Sequence, residues 1–214
     1  MKKAPVDEVL GILKQEHPDA KIALDFEGVW QLLVVVVLSA QCTDERVNKV
    51  SPALFARFPE VQDLAECELE ELEKLIYSTG FYKAKARNLK AAAQRVMAEY
   101  GGEVPDNMED LLTLPGVARK TANVVMWSGF GRAVGVTVDT HVCRITGLLG
   151  WVPKKWSKAK NAVKIEEKMM KIVPKEDWGV VSHLLILHGR QVCVARRPKC
   201  GECPLNKLCP SSTV

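Results

Sequence analysis

The chain has 214 residues, 47% of them hydrophobic, which is enough for one large domain or two smaller domains with real cores. The longest apolar run, residues 32–38, is far too short to span a membrane, and no apolar segment follows the N-terminus as a signal peptide would require. The net charge is +4, but residues 151–200 hold twelve Lys and Arg against four Asp and Glu, which suits either a nucleic-acid partner or a solvated helix face.

The predicted elements are helices throughout. Apolar residues at helical spacing predict a helix within residues 5–20 that ends before Pro18. The valines of residues 28–41 would suit a buried strand, but no other segment offers a strand partner, so we predict a helix that is apolar on all sides. Asp44 is placed to cap a following helix over residues 45–51.

Two contrasting segments follow. Residues 59–74 carry seven acidic residues against one basic residue, which predicts a solvated helix face that lies away from nucleic acid. Residues 78–86, Ser-Thr-Gly-Phe-Tyr-Lys-Ala-Lys-Ala, form a predicted loop. This loop leads into a strong helix pattern over residues 85–100, which a pair of glycines ends.

Residues 112–123, Leu-Thr-Leu-Pro-Gly-Val-Ala-Arg-Lys-Thr-Ala-Asn, predict a tight turn between two helices. Pro fixes φ and Gly allows a positive φ, so a helix over residues 105–112 can reverse into one that starts near residue 117 or 118. The free N–H groups at that start suit an anion such as phosphate. Arg119 and Lys120 lie in the first helical turn, where cations are unfavourable unless something uses them. The stretch is therefore either a solvated helical corner or a clamp on a phosphate.

The region after the hairpin is helical and basic. Asp139 precedes a predicted helix over residues 140–147 and is a natural N-cap for it. Residues 161–171 and 178–189 form two further predicted helices, the first of them amphipathic and basic.

The chain ends in a dense cysteine cluster. Seven cysteines, an odd number, without a signal peptide argue against a disulfide scaffold and for a metal site. Zinc sites usually show two close pairs, and here only one pair is close, which favours a [4Fe–4S] cluster over zinc. His183 and His188 are five residues apart and face different sides of a helix, so they are poor metal partners and we expect core or hydrogen-bonding residues. The predicted ligands are Cys193, Cys200, Cys203 and Cys209.

Three of these features together resemble the endonuclease III family of DNA glycosylases. They are the hairpin of residues 112–123, the sequence Val-Asp-Thr-His at residues 138–141, and the 6-2-5 spacing of the last four cysteines. In that family the hairpin lysine is the nucleophile and the aspartate of Val-Asp-Thr-His is catalytic, which implies these roles for Lys120 and Asp139. Capping and catalysis by Asp139 are compatible. Ala118 stands where the family usually has a second Gly, but its backbone N–H can still donate.

The resemblance also implies which residues contact DNA. The matching family stretch for residues 39–44 lines the active-site groove, and its glutamine, here Gln41, fills the space left by an extruded base. Residues 80–86 resemble a family loop, in which Phe81 is either a buried aromatic or a wedge into the base stack. The implied backbone and phosphate contacts are Lys83, Lys85, Arg87, Leu114, Gly116, Ala118, Arg119, Arg196, Arg197 and Lys199.

The resemblance covers nearly the whole chain and implies an all-α, two-lobed helix-hairpin-helix DNA glycosylase fold with a C-terminal iron–sulfur cluster loop. The expected domains are residues 22–132, a central helical domain with the hairpin, and residues 1–21 plus 133–214, a second helical domain with the [4Fe–4S] cluster. The implied function is that of a bifunctional DNA glycosylase/AP lyase of base excision repair. It would remove oxidised pyrimidines from duplex DNA and cleave abasic sites by β-elimination through a lysine Schiff base. We expect a cytoplasmic, nucleoid-associated monomer without membrane contacts.

Two other functions fit part of the pattern. The monofunctional adenine glycosylase relative shares the hairpin, the aspartate and the cluster, but it lacks the hairpin lysine and usually carries a further domain. Lys120, and the expectation that no domain follows Val214, argue against it. A non-catalytic iron–sulfur protein that binds DNA or senses redox state would need neither Lys120 nor Asp139. The presence of both favours the enzyme.

Overall fold

The computed structural model describes residues 3–214, and every regular element within them is helical, which confirms the all-α prediction. None of the helices in these residues has the length and apolar content needed to cross a bilayer. The α-helices are α1 (Val6–Glu16), α2 (Gly28–Leu38), α3 (Asp44–Arg57), α4 (Val61–Glu66), α5 (Leu69–Ile76), α6 (Tyr82–Tyr100), α7 (Met108–Leu111), α8 (Arg119–Ser128), α9 (Thr140–Leu148), α10 (Lys154–Lys158), α11 (Ala162–Ile172) and α12 (Trp178–Gln191).

The chain divides into two compact units. The central unit is Ala23–Arg132, and the terminal unit combines the N-terminal segment up to Ile22 with Ala133–Val214. In the central unit, helix α2 forms the core, because α3, α6 and α8 all pack against it. Residues 32–38 of α2 are all buried. The valine run is therefore helical, as predicted, because burial on every side outweighs its weak preference for strand.

Helix α3 differs from the prediction at both ends. Its N-cap is Thr43, whose Oγ1 accepts a hydrogen bond from the Arg46 N–H at 3.2 Å. The prediction that Asp44 caps the helix is therefore wrong, because Asp44 lies in the first turn, where its carboxylate faces the positive helix end. The helix also continues through Pro52 to Arg57. Its buried apolar side stabilises the continuation against the backbone hydrogen bond that a proline removes.

In the terminal unit, α9 and α12 pack together, and α1 and α10 cover them. The indole Nε1 of buried Trp151 donates to the Ala4 carbonyl oxygen at 2.9 Å, which fixes the N-terminal segment to the chain that follows α9. Lys14 of α1 also pairs with Asp177, just before α12, at 2.6 Å. These two contacts fix α1 and the segment before it to the end of α9 and the start of α12.

Candidate nucleic-acid interface and metal centre

The hairpin between α7 and α8 contains a tight β-turn over residues 114–117, as predicted. The Val117 N–H donates to the Leu114 carbonyl oxygen at 3.1 Å. Gly116 has φ +82°, the left-handed conformation that the third position of a Pro-Gly type II turn requires. A Cβ atom at Gly116 would also lie only 3.0 Å from the Cβ of Asn88. Leu114 is buried, its N–H donates to the Leu111 carbonyl oxygen at 3.2 Å, and its own carbonyl oxygen accepts from Val117, so its backbone closes the turn.

Helix α7 is shorter than the predicted helix over residues 105–112, and α8 begins at Arg119, one or two residues later than predicted. Helix α7 begins only at Met108, because Asn107 is its N-cap and its Oδ1 accepts from the Asp110 N–H at 2.9 Å. Helix α6 braces the turn, since the Arg95 guanidinium donates to the Thr113 carbonyl oxygen. The Tyr100 hydroxyl also lies 3.2 Å from Thr113 Oγ1. The hairpin is therefore held rigidly against the central unit.

Helix α8 presents its N-terminus to solvent. Ala118 is the N-cap in extended backbone, and it has no side-chain group to accept from the first-turn N–H groups. Ala118, Arg119 and Lys120 are all exposed. The other face of α8 is anchored by buried residues such as Ala122 and Val125. An exposed helix start without a capping side chain is the arrangement that receives phosphate oxygens.

Asp139 begins α9, as predicted. Its Oδ1 accepts a hydrogen bond from the Val142 N–H at 2.8 Å, which is the usual N-cap contact. Asp139 itself is half-buried, and the next turn is held in the core by Val142 and Cys143. A carboxylate has a second oxygen, so the cap fixes the orientation of Asp139 without using all of its acceptor capacity.

Gln41 and Phe81 are exposed residues with left-handed backbone. Their φ angles are +53° and +50°, values that residues with a side chain rarely adopt. Such strain concentrates at functional sites, where the surrounding structure must hold it. Phe81 is 67% exposed, so the alternative of a buried aromatic is wrong, and the wedge into the base stack stays a prediction.

The three basic residues after Phe81 do not share one surface. Lys83 and Arg87 are exposed on α6, as a spacing of four residues on one helix face requires. Lys85 is 6% exposed, and its ammonium donates to the carbonyl oxygens of Leu38 and Thr79, both at 2.8 Å. The predicted phosphate contact of Lys85 is therefore wrong. Lys85 lies two residues from both Lys83 and Arg87, so it is on the opposite face of α6, which packs into the core. Burial lowers the pKa of Lys85, and the nearby Cys42 raises it to a smaller extent.

The last four cysteines line one cavity of about 70 Å³ in the terminal unit. None of them forms a disulfide. Across residues 3–214, no three His, Cys, Asp or Glu side chains are arranged to hold a single metal ion. Four thiols around a cavity fit an iron–sulfur cluster, because each thiolate then binds a different iron rather than one shared ion.

Each thiol lies in a different environment. Burial raises the pKa of Cys193 and of Cys203, whereas hydrogen bonds from Thr213 lower the pKa of Cys200. His188 is buried, as predicted, and its Nε2 lies 3.7 Å from the Cys203 Sγ. Burial, together with His17 and Arg144, lowers the pKa of His188 to about 4. His188 is therefore neutral at pH 7 and lines the cavity as a hydrogen-bonding group.

The segment between the first two of these cysteines is basic and exposed. Arg196, Arg197 and Lys199 all lie on its surface. The Lys199 N–H donates back to the Val192 carbonyl oxygen at 3.0 Å, which closes the segment into a compact loop. This loop presents three cations to solvent beside the cysteine cavity.

Arg144 is a residue of this region that the sequence did not single out. Its guanidinium donates to the carbonyl oxygens of Gly189 at 3.2 Å and Cys193 at 2.6 Å. It therefore ties α9, which Asp139 begins, to the end of α12 and the first cysteine. No local pattern marks such a role, since the acceptors are backbone atoms 45 and 49 residues away.

Comparison with known proteins bears on both the fold and the activity. Residues 34–175 match the HhH-GPD superfamily of base excision DNA repair proteins, and residues 193–209 match the iron–sulfur binding domain of endonuclease III. Endonuclease III of Synechocystis sp. is 53% identical over 211 residues, which are 99% of this chain and 94% of that protein. This chain belongs to the endonuclease III family. Endonuclease III of Escherichia coli K12 is 38% identical, over 98% of this chain and 96% of its own length.

Solved structures agree with the family assignment. A trapped endonuclease III–DNA covalent intermediate is 40% identical, with a TM-score of 0.89, and the match covers 97% of this chain and 95% of that one. A thermostable thymine-DNA glycosylase is 25% identical, with a TM-score of 0.83 over 96% of this chain and 95% of its own. These likenesses confirm the helix-hairpin-helix glycosylase fold. The iron–sulfur match runs from the first to the last of the four cysteines and confirms a [4Fe–4S] cluster as the cofactor of this family member.

Proposed function

We propose that Lys120 and Asp139 carry the chemistry of this endonuclease III family member, a bifunctional DNA glycosylase/AP lyase of base excision repair that acts on damaged duplex DNA. One observation carries the assignment: Lys120 stands exposed in the first turn of α8, next to a rigid Pro-Gly turn, where a cation is unfavourable unless it is used. It also matches the hairpin lysine of the family, residue by residue. Neither alternative function needs a lysine there.

The reaction follows from what an amine can do. The damaged base, an oxidised pyrimidine in our proposal, must first leave the stack so that C1′ of its sugar becomes accessible. Lys120 Nζ then attacks C1′, and the glycosidic bond breaks as the base departs with its electron pair. Asp139 stabilises the sugar cation that develops and accepts the proton that the amine loses. Water could also displace the base, but it could not form the imine that follows.

The second half of the reaction cleaves the strand. Ring opening converts the C1′ adduct into a Schiff base between Lys120 and the sugar. This imine acidifies the C2′ proton, and its removal drives β-elimination of the 3′ phosphate. Borohydride trapping on abasic DNA tests the proposal, because the hydride reduces the imine to a stable covalent link.

We propose that phosphate oxygens bind at the hairpin and at the basic loop. The hairpin offers the N–H groups of Gly116 and Ala118 and the exposed Arg119, while Leu114 supports them by closing the turn with its backbone hydrogen bonds. The basic loop adds Arg196, Arg197 and Lys199. Gln41 and Phe81, both exposed on strained backbone, act on the base stack: Gln41 fills the vacated space and Phe81 wedges between bases.

Replacing Arg197 with Ala is expected to weaken binding to all duplexes alike and to reduce the salt slope by about one unit, because one phosphate contact is lost. The measurement is the dissociation constant at several salt concentrations, for lesion-containing and undamaged duplexes. Lys74→Ala removes the same charge from the acidic segment and should leave the slope unchanged. A loss confined to one lesion type would contradict the phosphate role.

We propose that the four cavity-lining cysteines hold the [4Fe–4S] cluster as thiolates. Binding to iron offsets the unfavourable free energy of burying Cys193 and Cys203 as anions. The cluster has a structural part here: it holds the basic loop between Cys193 and Cys200 in place. We also propose residues 22–132 and residues 1–21 plus 133–214 as the two domains, which the bounds of the two compact units support to within one residue. We also propose a cytoplasmic location, because a repair enzyme must reach DNA.

Purified protein should be yellow-brown, with about four irons per chain. Cys203→Ser should lose iron and become unstable or insoluble, because the ligand and the loop that it fixes are lost together. The matched control is Cys67→Ser, since the Cys67 Sγ only donates to the Leu64 carbonyl oxygen and a serine hydroxyl can do the same. Iron and zinc analysis of all three proteins checks this. Stoichiometric zinc without iron in the unaltered protein would rule out the cluster.

A further inference from the structure

The buried Lys85 ammonium lies where two functional loops of the central unit meet. One of its acceptors is the carbonyl oxygen of Leu38, the last residue of α2 and three residues before Gln41. The other is the carbonyl oxygen of Thr79, two residues before Phe81. Both distances are 2.8 Å. A single nitrogen atom therefore joins the two segments that lead into the left-handed residues.

Lys85 also holds the Phe81 loop through its backbone. Its N–H donates to the Phe81 carbonyl oxygen at 3.1 Å, so the ammonium and the N–H of one residue grip the loop on both sides of Gly80. Around the same loop, the Thr79 hydroxyl donates to the Ile76 carbonyl oxygen at 2.8 Å. The rings of Tyr77 and Tyr82 pack with their centroids 4.8 Å apart. The side chain of Phe81 is thus 67% exposed, although the loop that carries it is held by hydrogen bonds and ring packing.

We propose that Lys85 is a positioning residue that clasps the Gln41 and Phe81 loops together, so that the two side chains enter the DNA as one pre-assembled pair. This inference rests on the proposed base-stack roles of Gln41 and Phe81. The clasp keeps both residues in strained backbone conformations before DNA arrives, and binding then does not have to order them.

The chemistry of the clasp requires a buried cation with several donors. A lysine ammonium has three N–H donors and no acceptor, so it can serve two carbonyl oxygens that face each other. A hydrogen bond from a charged donor is stronger than a neutral one, which offsets the burial of the charge. Methionine would fill a similar volume but leave both carbonyl oxygens without this donor.

The test compares Lys85→Met with Lys90→Met, both on α6. Lys90 is a matched control, because its ammonium also donates to a backbone carbonyl oxygen, that of Cys67 at 2.6 Å, but at a place far along the helix from Phe81. Two substrates are used: a duplex that carries an oxidised pyrimidine, and a single-stranded abasic oligonucleotide that has no base stack to open. A fluorescent base analogue opposite the lesion reports unstacking directly. Melting temperature and iron content show whether each variant is folded.

Lys85→Met should slow base release from the duplex by roughly 10- to 100-fold, as expected for misplaced positioning groups, and should reduce the unstacking signal. Borohydride trapping on the single strand should stay close to that of the unaltered protein. Lys90→Met should change neither base release nor the unstacking signal, even if its melting temperature falls as much as that of Lys85→Met. In a background that already carries Gln41→Ala and Phe81→Ala, Lys85→Met should add little further loss, because the clasp acts only through those two residues. Lys85→Arg, which keeps the charge and several donors, should restore part of the duplex activity.

Two results would overturn the clasp: unchanged duplex activity in Lys85→Met, or equal losses on both substrates. If Lys85→Met does not fold, Lys85→Gln replaces it, because Gln is neutral and its side chain is one bond shorter. Lys85→Gln is then measured on both substrates, alone and in the background with Gln41→Ala and Phe81→Ala, and the same two results would overturn the clasp. The proposed roles of Gln41 and Phe81 are tested independently of the clasp. They would be contradicted if the protein with both Gln41→Ala and Phe81→Ala released bases at the normal rate.

Discussion

Replacing Lys120 with Gln is expected to abolish both base release and borohydride trapping, while lesion-containing duplex still binds. The loss should be roughly 10⁴-fold or more, in the range seen when an enzyme loses its nucleophile. The physical reason is that an amide nitrogen cannot attack C1′ or form an imine. Gln keeps most of the length of the side chain, and α8 has no structural need for a cation in its first turn. Single-turnover assays at saturating enzyme separate the chemical steps from binding.

Arg119→Gln is the matched control for this change. It removes a positive charge from the adjacent position in the same helical turn, but it leaves the amine in place. Binding of Arg119→Gln should become weaker and less dependent on salt, whereas the bound complex should still turn over and trap. If Lys120→Gln behaved in this same way, with weaker binding and normal turnover, Lys120 would be a phosphate contact and not the nucleophile.

The Asp139→Asn variant should fold normally and lose base release by roughly 10²-fold or more, the lower range for acid–base assistance. Asn is as good an N-cap as Asp, so the hydrogen bond with the Val142 N–H is retained and only the charge is removed. The melting temperature should therefore stay near that of the unaltered protein, whereas Asp139→Ala should lower it. This difference separates the carboxylate from the cap.

A pre-formed abasic site distinguishes the step in which Asp139 acts. The loss in Asp139→Asn should be smaller on this substrate, because the base has already gone and no sugar cation has to be stabilised. Equal losses on both substrates would mean that Asp139 acts in the elimination step as well as in base release. No loss on either would leave Asp139 with only its capping role.

The parts of the site that could be predicted from sequence are those set by local rules. The Pro115-Gly116 turn follows from the φ angles that these two residues allow, and the N-cap at Asp139 follows from one side chain and the next three residues. The density and spacing of the four cysteines are enough to predict a metal site. The roles of Lys120 and Gln41 came from the resemblance, because spacing leaves a solvated corner equally possible.

The parts that could not be predicted depend on distant partners. The sequence around Lys85 predicts a surface cation like Lys83 and Arg87. Its ammonium is instead buried, because it donates to an acceptor on α2 that is 47 residues away in the chain. Phe81 could have been buried or exposed, since a single aromatic in a short loop carries no periodicity to decide the matter. Helix α3 continues through Pro52 because its far side packs into the core, and that packing is tertiary information.

The location of the borohydride-trapped adduct on the chain decides whether Lys120 is the nucleophile. The protein is trapped on abasic DNA, the DNA is digested, and the adduct is mapped by mass spectrometry after trypsin treatment. Modification of Lys120 blocks cleavage at that residue, so we expect a peptide spanning residues 120–132 that carries the sugar remnant. An adduct on any other lysine or on the N-terminal amine, with residues 121–132 released unmodified, would contradict the assignment of Lys120 as the nucleophile.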